Sequence, residues 1–174
     1  MEFNFKNLDD KTRQMMEKEM NLDLTQGRLY LSRRLNESGR NTYPSLLQSA
    51  IKAGNERTLA TTLVSKFFNI KEVRTIKNVP ISATVPITAN KTLAEGEFNR
   101  FYMRGLCVRA IEENRSLKVY RAKQVNNPRI ESEQMMGKDI DPKALLEDLR
   151  TNIGIDTFPG LPKGPNSGLS VELI

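Results

Sequence analysis

The stretch from residue 92 to residue 114 constrains the fold more than any other, because its apolar side chains leave almost no polar face. A helix that is apolar nearly all round belongs in the middle of a domain. Thr92 and Glu95 have the spacing of a capping box, which predicts that the helix begins there. Seven residues cover most of its circumference: Phe98, Phe101, Tyr102, Leu106, Val108, Ala110 and Ile111.

The remaining segments predict a mainly helical α+β fold with two or three short strands. Apolar residues recur at helical spacing over residues 8–24, 131–136 and 142–150, and over a helical hairpin at 43–68 that starts at Thr42 and Pro44. Residues 71–87 and 117–125 alternate with the period of a strand, and Pro80 confines the first run to a sheet edge or an extended arm. We expect a single domain at residues 1–157, with residues 1–7 as an N-terminal arm and 158–174 as a C-terminal arm.

The two ends have the composition of docking arms. Residues 158–174 hold three prolines and three glycines, so they cannot form a helix. Terminal segments stay disordered unless another surface holds them, and the short apolar stretch 169–174 could pair with the sheet edge of a partner. We therefore predict that the arms bind neighbouring subunits through seven apolar residues: Phe3, Phe5, Phe158, Leu161, Leu169, Val171 and Leu173.

Composition narrows the possible chemistry. The chain of 174 residues has no histidine and one cysteine, which removes histidine-based acid–base catalysis and internal disulfides. Cys107 lies between Leu106 and Val108, as a small core residue does, so we do not expect a nucleophile there. We expect no cofactor and no metal. The start of the chain does not resemble a signal peptide, and no apolar run is long enough to span a membrane, so the expected location is intracellular (cytoplasmic) or a virion.

The formal charge is +6, and it is unevenly distributed. Residues 61–127 carry twelve basic and five acidic groups, whereas residues 128–174 carry five and eight. Opposite patches of this kind favour head-to-tail association of subunits. The basic middle can also contact nucleic acid through phosphates. The candidate contacts are Arg28, Arg33, Arg34, Arg40, Lys71, Arg74 and Lys77.

These observations predict a non-enzymatic structural or assembly subunit of a larger complex, for which the capsid of a virus or phage particle is one suitable setting. Its expected partners are other protein subunits, in a homo- or hetero-oligomer, and no membrane. A basic nucleic-acid-binding protein, with phosphate contacts from residues 28–40 and 71–123, is the alternative.

A metal-dependent nuclease is a third hypothesis. Carboxylates can hold a divalent ion while a cation stabilises a phosphoryl transition state. The sequence argues against it, because Glu95 and Glu112 are already explained by the ends of the central helix. The residues concerned are Glu95, Glu97 or Glu112 with Lys118, Arg121 or Lys123.

Overall fold

The computed structural model of the chain describes residues 2–153 and 167–174 and shows a mainly helical α+β fold with two small sheets. The helices in this part of the chain are α1 (Asp10–Thr25), α2 (Glu37–Ala53), α3 (Glu56–Thr62), α4 (Ala89–Glu113), α5 (Ile130–Met135) and α6 (Pro142–Thr151), with a 3-10 turn at Ser65–Phe67. The strands are β1 (Lys71–Ile76), β2 (Val79–Thr84), β3 (Leu117–Arg121), β4 (Asp139–Ile140) and β5 (Leu169–Leu173).

Helix α4 lies at the centre of the core, as its apolar circumference predicts. The side chains of Phe98, Phe101 and Tyr102 are fully buried, and α1, α3 and α6 pack around them. Gly105 brings α4 against α1, because a Cβ atom there would lie 2.8 Å from Met16 Cγ and 3.1 Å from the carbonyl oxygen of Thr12. The absence of a side chain therefore sets the distance between these two helices.

Two predicted helix starts are wrong. Helix α4 begins at Ala89, and the Thr92 amide already donates a helical hydrogen bond to the Thr88 carbonyl (2.9 Å), so Thr92 and Glu95 form no capping box. Helix α2 begins at Glu37, where the Asn36 side chain accepts a hydrogen bond from the Gly39 amide (2.9 Å). Pro44 consequently lies inside α2 rather than in its first turn.

The three-stranded sheet has the antiparallel order β4-β3-β5. Strand β5 pairs with β3 from Leu117↔Leu173 to Arg121↔Leu169. The side chains of Leu169, Val171 and Leu173 are buried in the core of the chain. The stretch 169–174 was expected to pair with the sheet edge of a partner; instead, residues 169–173 pair with β3 of the same chain and pack on α4.

The N-terminal segment also packs on its own domain. The Phe5 ring lies 4.6 Å from Tyr102 and 5.3 Å from Phe98, centroid to centroid, and Phe3 stacks on Phe5 at 5.1 Å. The segment is fixed to β5 by the Lys6–Glu172 ion pair (2.7 Å). Phe3 and Phe5, predicted to bind a partner, are therefore half-buried against the chain itself. Phe158 and Leu161 lie outside the described residues, and their partner-binding role stays a prediction.

No helix in residues 2–153 or 167–174 is long and apolar enough to cross a lipid bilayer.

Candidate functional site

Strands β1 and β2 form a two-stranded antiparallel hairpin, residues 71–84, which we call the ribbon. Its turn is Lys77–Asn78, where both residues have positive φ (48° and 64°), as in the type I′ turns that close two-residue hairpins. None of the described side chains of the ribbon is buried. Within the described part of the chain each strand pairs only with the other, which confirms the edge position predicted from Pro80.

Two distant segments of sequence meet at the base of the ribbon. Leu35 and Phe68 form an isolated β-bridge, and the Asn69 amide donates to the Arg34 carbonyl (2.8 Å). The Asn69 side chain donates to the Arg33 carbonyl (3.2 Å). Residues 33–40 and 66–71 are thereby held side by side, although twenty-five residues separate the two segments in the sequence.

Glu72 organises the charges at this base. One of its oxygens accepts a hydrogen bond from Arg34 Nε (2.7 Å), and the other accepts one from Arg74 Nε (2.7 Å). The hydrogen bond from Arg34 is the largest influence on the pKa of Glu72 and lowers it, burial opposes this, and Arg74 lowers the pKa further. Glu72 therefore stays ionised and holds two guanidinium groups together.

The result is a group of basic residues at the base of the ribbon, on both of its faces and in its turn, which we call the basic surface. Residues 33–40 and 66–77 contain seven basic residues and two acidic ones, Glu37 and Glu72. Six of the seven were predicted from the sequence, and Lys66 was missed because it lies within the predicted helical hairpin at 43–68. The basic surface consists of Arg33, Arg34, Arg40, Lys66, Lys71, Arg74 and Lys77.

Arg28 is not part of the basic surface. Its guanidinium donates to the Arg150 carbonyl (2.8 Å) and lines a separate open groove of about 540 Å³ between α1 and α6. Arg28 was predicted to contact nucleic acid together with Arg33, Arg34 and Arg40, and its position apart from the basic surface does not support that prediction.

The structure brings together two of the candidate nuclease residues, Glu95 and Lys123 (2.6 Å). The others lie apart: Glu97 pairs with Arg100 (2.5 Å), Arg121 pairs with Glu133, and the Glu112 side chain is exposed. In residues 2–153 and 167–174 no group of three or more acidic, cysteine or histidine residues could hold a metal ion.

A buried charge cluster between α1, α4 and α6 was not predicted. Arg104 binds Asp23 and Glu19, and Arg150 also binds Glu19 (2.5 Å). Burial opposes ionisation of Glu19, but hydrogen bonds and charges from Arg150 and Arg104 outweigh it, so the pKa of Glu19 is lowered. The spacing of Glu19 and Asp23 on the same stripe as Met16 and Met20 is the sequence signal that could have revealed it.

Cys107 is fully buried on α4. Burial is the main cause that raises the pKa of its thiol well above the usual value. The side chain therefore stays a neutral thiol in the core, and nucleophilic chemistry requires the thiolate.

Comparison of the chain with protein-family models, curated proteins and solved structures found no significant match.

Proposed function

We propose that this chain is a non-catalytic protein that binds nucleic acid through its basic surface. One observation carries the proposal. Six basic residues that sequence reasoning selected from two separate segments lie on or beside the ribbon, with Lys71 on one of its faces and Arg74 on the other. Phosphate neutralisation by clustered lysine and arginine is the main source of affinity in non-specific nucleic-acid binding.

The exposure of the site supports the same function. Because none of the described side chains of the ribbon is buried, its cations can approach a phosphate backbone without rearrangement of the core. Arg34 and Arg74 are already oriented by Glu72, so little side-chain entropy is lost when they contact an anion.

The alternative of assembly through terminal arms has less support in the described residues. Phe5 packs on α4, Phe3 stacks on Phe5, and β5 pairs with β3 of the same chain. Within the described residues, the apolar side chains predicted to dock on a partner are thereby buried or half-buried against the chain itself.

The proposal is tested by fluorescence anisotropy with a labelled DNA duplex of about two helical turns, at salt concentrations of about 50 and 200 mM. The wild-type protein is compared with a triple variant, Lys71→Gln, Arg74→Gln and Lys77→Gln. We expect the dissociation constant to rise and the slope of log affinity against log salt to fall by about 0.9 for each phosphate contact removed.

A matched control removes the same charge elsewhere: Lys18→Gln, Lys138→Gln and Lys143→Gln, all exposed and outside the basic surface. This control should lose little affinity. Equal losses in both triple variants, or no binding by the wild-type protein at low salt, would overturn the proposal.

A further inference from the structure

The register of the ribbon divides its side chains between two faces. Paired residues of an antiparallel hairpin share a face, so Val73 lies beside Ser82 and Thr75 beside Pro80. The face with Glu72 and Ala83 is half-buried at its base, whereas every residue of the opposite face is exposed. We call the latter the outer face; it consists of Lys71, Val73, Thr75, Pro80, Ser82 and Thr84.

The side chains of the outer face are suited to contact with nucleic acid. It carries three hydroxyl groups, one cation and two apolar side chains, and none of its six residues is acidic. Hydroxyl groups can donate to phosphates or to base edges, and apolar side chains contact the methyl group of thymine. Val73 is 76% exposed, so its side chain is accessible to a ligand on this face.

The dimensions of the ribbon favour duplex DNA over double-stranded RNA. A strand of six residues extends about 20 Å, and neighbouring strands lie about 4.8 Å apart. The major groove of B-form DNA is about 12 Å wide and admits a two-stranded ribbon. The major groove of double-stranded RNA is deep and too narrow for side chains to read.

We infer that the ribbon enters the major groove of duplex DNA with its outer face towards the bases, an inference that rests on the proposed nucleic-acid-binding function. Lys71, the cation of the outer face, then contacts the phosphates that flank the groove. Lys77, in the turn of the ribbon, then lies furthest along the groove. Thr75 and Ser82, which belong to the outer face, then lie opposite the base edges.

The test compares three labelled probes in anisotropy titrations: a DNA duplex, an RNA duplex of the same sequence, and the single DNA strand. We expect the DNA duplex to bind at least about tenfold more tightly than the RNA duplex, since only its groove admits the ribbon. Netropsin, which fills the minor groove, should leave binding unchanged. Equal binding of both duplexes, tighter binding of RNA or of the single strand, or displacement by netropsin would overturn the inference.

A substitution on the outer face provides the second readout. Val73→Asp places a carboxylate against the groove, and we expect a loss of about tenfold or more in DNA affinity from the added repulsion. The matched control is Ile130→Asp, because Ile130 is 74% exposed but lies on α5. Circular dichroism should show both variants folded, since neither side chain is in the core.

The outcomes separate the inference from the function on which it rests. If all three probes bind with salt dependence but Val73→Asp has no effect, the contacts are to phosphates alone and the groove assignment is wrong. If no probe binds at low salt, the proposed function itself fails. Binding of an acidic protein instead of any nucleic acid would overturn both.

Discussion

Arg104 of α4 and Asp23 of α1 form a bidentate ion pair in which both side chains are fully buried. Arg104 Nη1 lies 2.6 Å from Asp23 Oδ2, and Nη2 lies 3.0 Å from Oδ1. Both side chains have 0% relative exposure. The pair connects the same two helices that approach closely at Gly105, so packing and charge fix the same contact.

Asp23→Asn should therefore destabilise the fold. The substitution leaves the Arg104 guanidinium buried with incomplete compensation, and removal of one partner from such a pair costs about 3–5 kcal/mol. Chemical denaturation measures the free energy of unfolding. Asp139→Asn is the control, because that carboxylate is 71% exposed, and its variant should differ from wild type by less than about 0.5 kcal/mol. A small effect of Asp23→Asn would mean that the pair is not buried.

The stability should also depend on pH through Glu19. Its pKa is lowered in the folded state by Arg150 and Arg104 against the opposing effect of burial. A carboxyl group whose pKa is lower in the folded state than in the unfolded state stabilises the fold. The full contribution is present at a pH above the unfolded-state pKa, 4.5, and it is lost as the pH falls through the folded-state pKa. The difference in unfolding free energy between wild type and Glu19→Gln should thus be largest near neutral pH and shrink below pH 4.5. A difference that stays constant down to strong acid would contradict this account.

Two glycines with positive φ provide a matched pair of substitutions. At Gly168 (φ +65°) a Cβ atom would lie 2.1 Å from the carbonyl oxygen of Lys123, whereas at Gly27 (φ +62°) it would meet nothing within 4 Å. Gly27→Ala should cost about 1–2 kcal/mol from backbone conformation alone. Gly168→Ala should cost clearly more, because the start of β5 must move. Thermal melting of both variants measures which substitution destabilises the protein more. Equal losses of stability would contradict the close contact between Gly168 and Lys123 at the start of β5.

Strand β5 should stabilise the chain that carries it. Val171 is fully buried between β3 and α4, so Val171→Ala should lower the free energy of unfolding by about 2 kcal/mol through lost burial and a cavity. Because the strand pairs within one chain, the loss should be the same over a wide range of protein concentration. A loss that depends on concentration would show that β5 is exchanged between copies.

The features that could be predicted from sequence are those determined by neighbouring residues. Asp9 caps α1, Asn55 caps α3 and Asp141 caps α6, each through a side chain that bonds to an amide two or three residues ahead. The apolar pattern of α4 likewise placed it in the core. These signals lie within one turn or one helix face, so no knowledge of the tertiary fold is needed.

The features that were missed depend on distant contacts. Asn36 rather than Thr42 starts α2, because its side-chain amide also donates to the Lys66 carbonyl (2.7 Å), far along the chain. The turn at Lys77–Asn78 was not predicted, since lysine seldom adopts positive φ. For the candidate site, charge alone identified six residues of the basic surface, but only the fold shows that Arg28 lies apart from them.

None of the described side chains of the ribbon belongs to the hydrophobic core cluster. Under the proposed function, substitutions between residues 71 and 84 that keep the hairpin intact would change what the protein recognises while the body of the molecule folds as before. Folding and recognition would then be encoded in separate parts of this sequence, and the ribbon could acquire a new specificity, by natural variation or by design, without compensating changes in the helices.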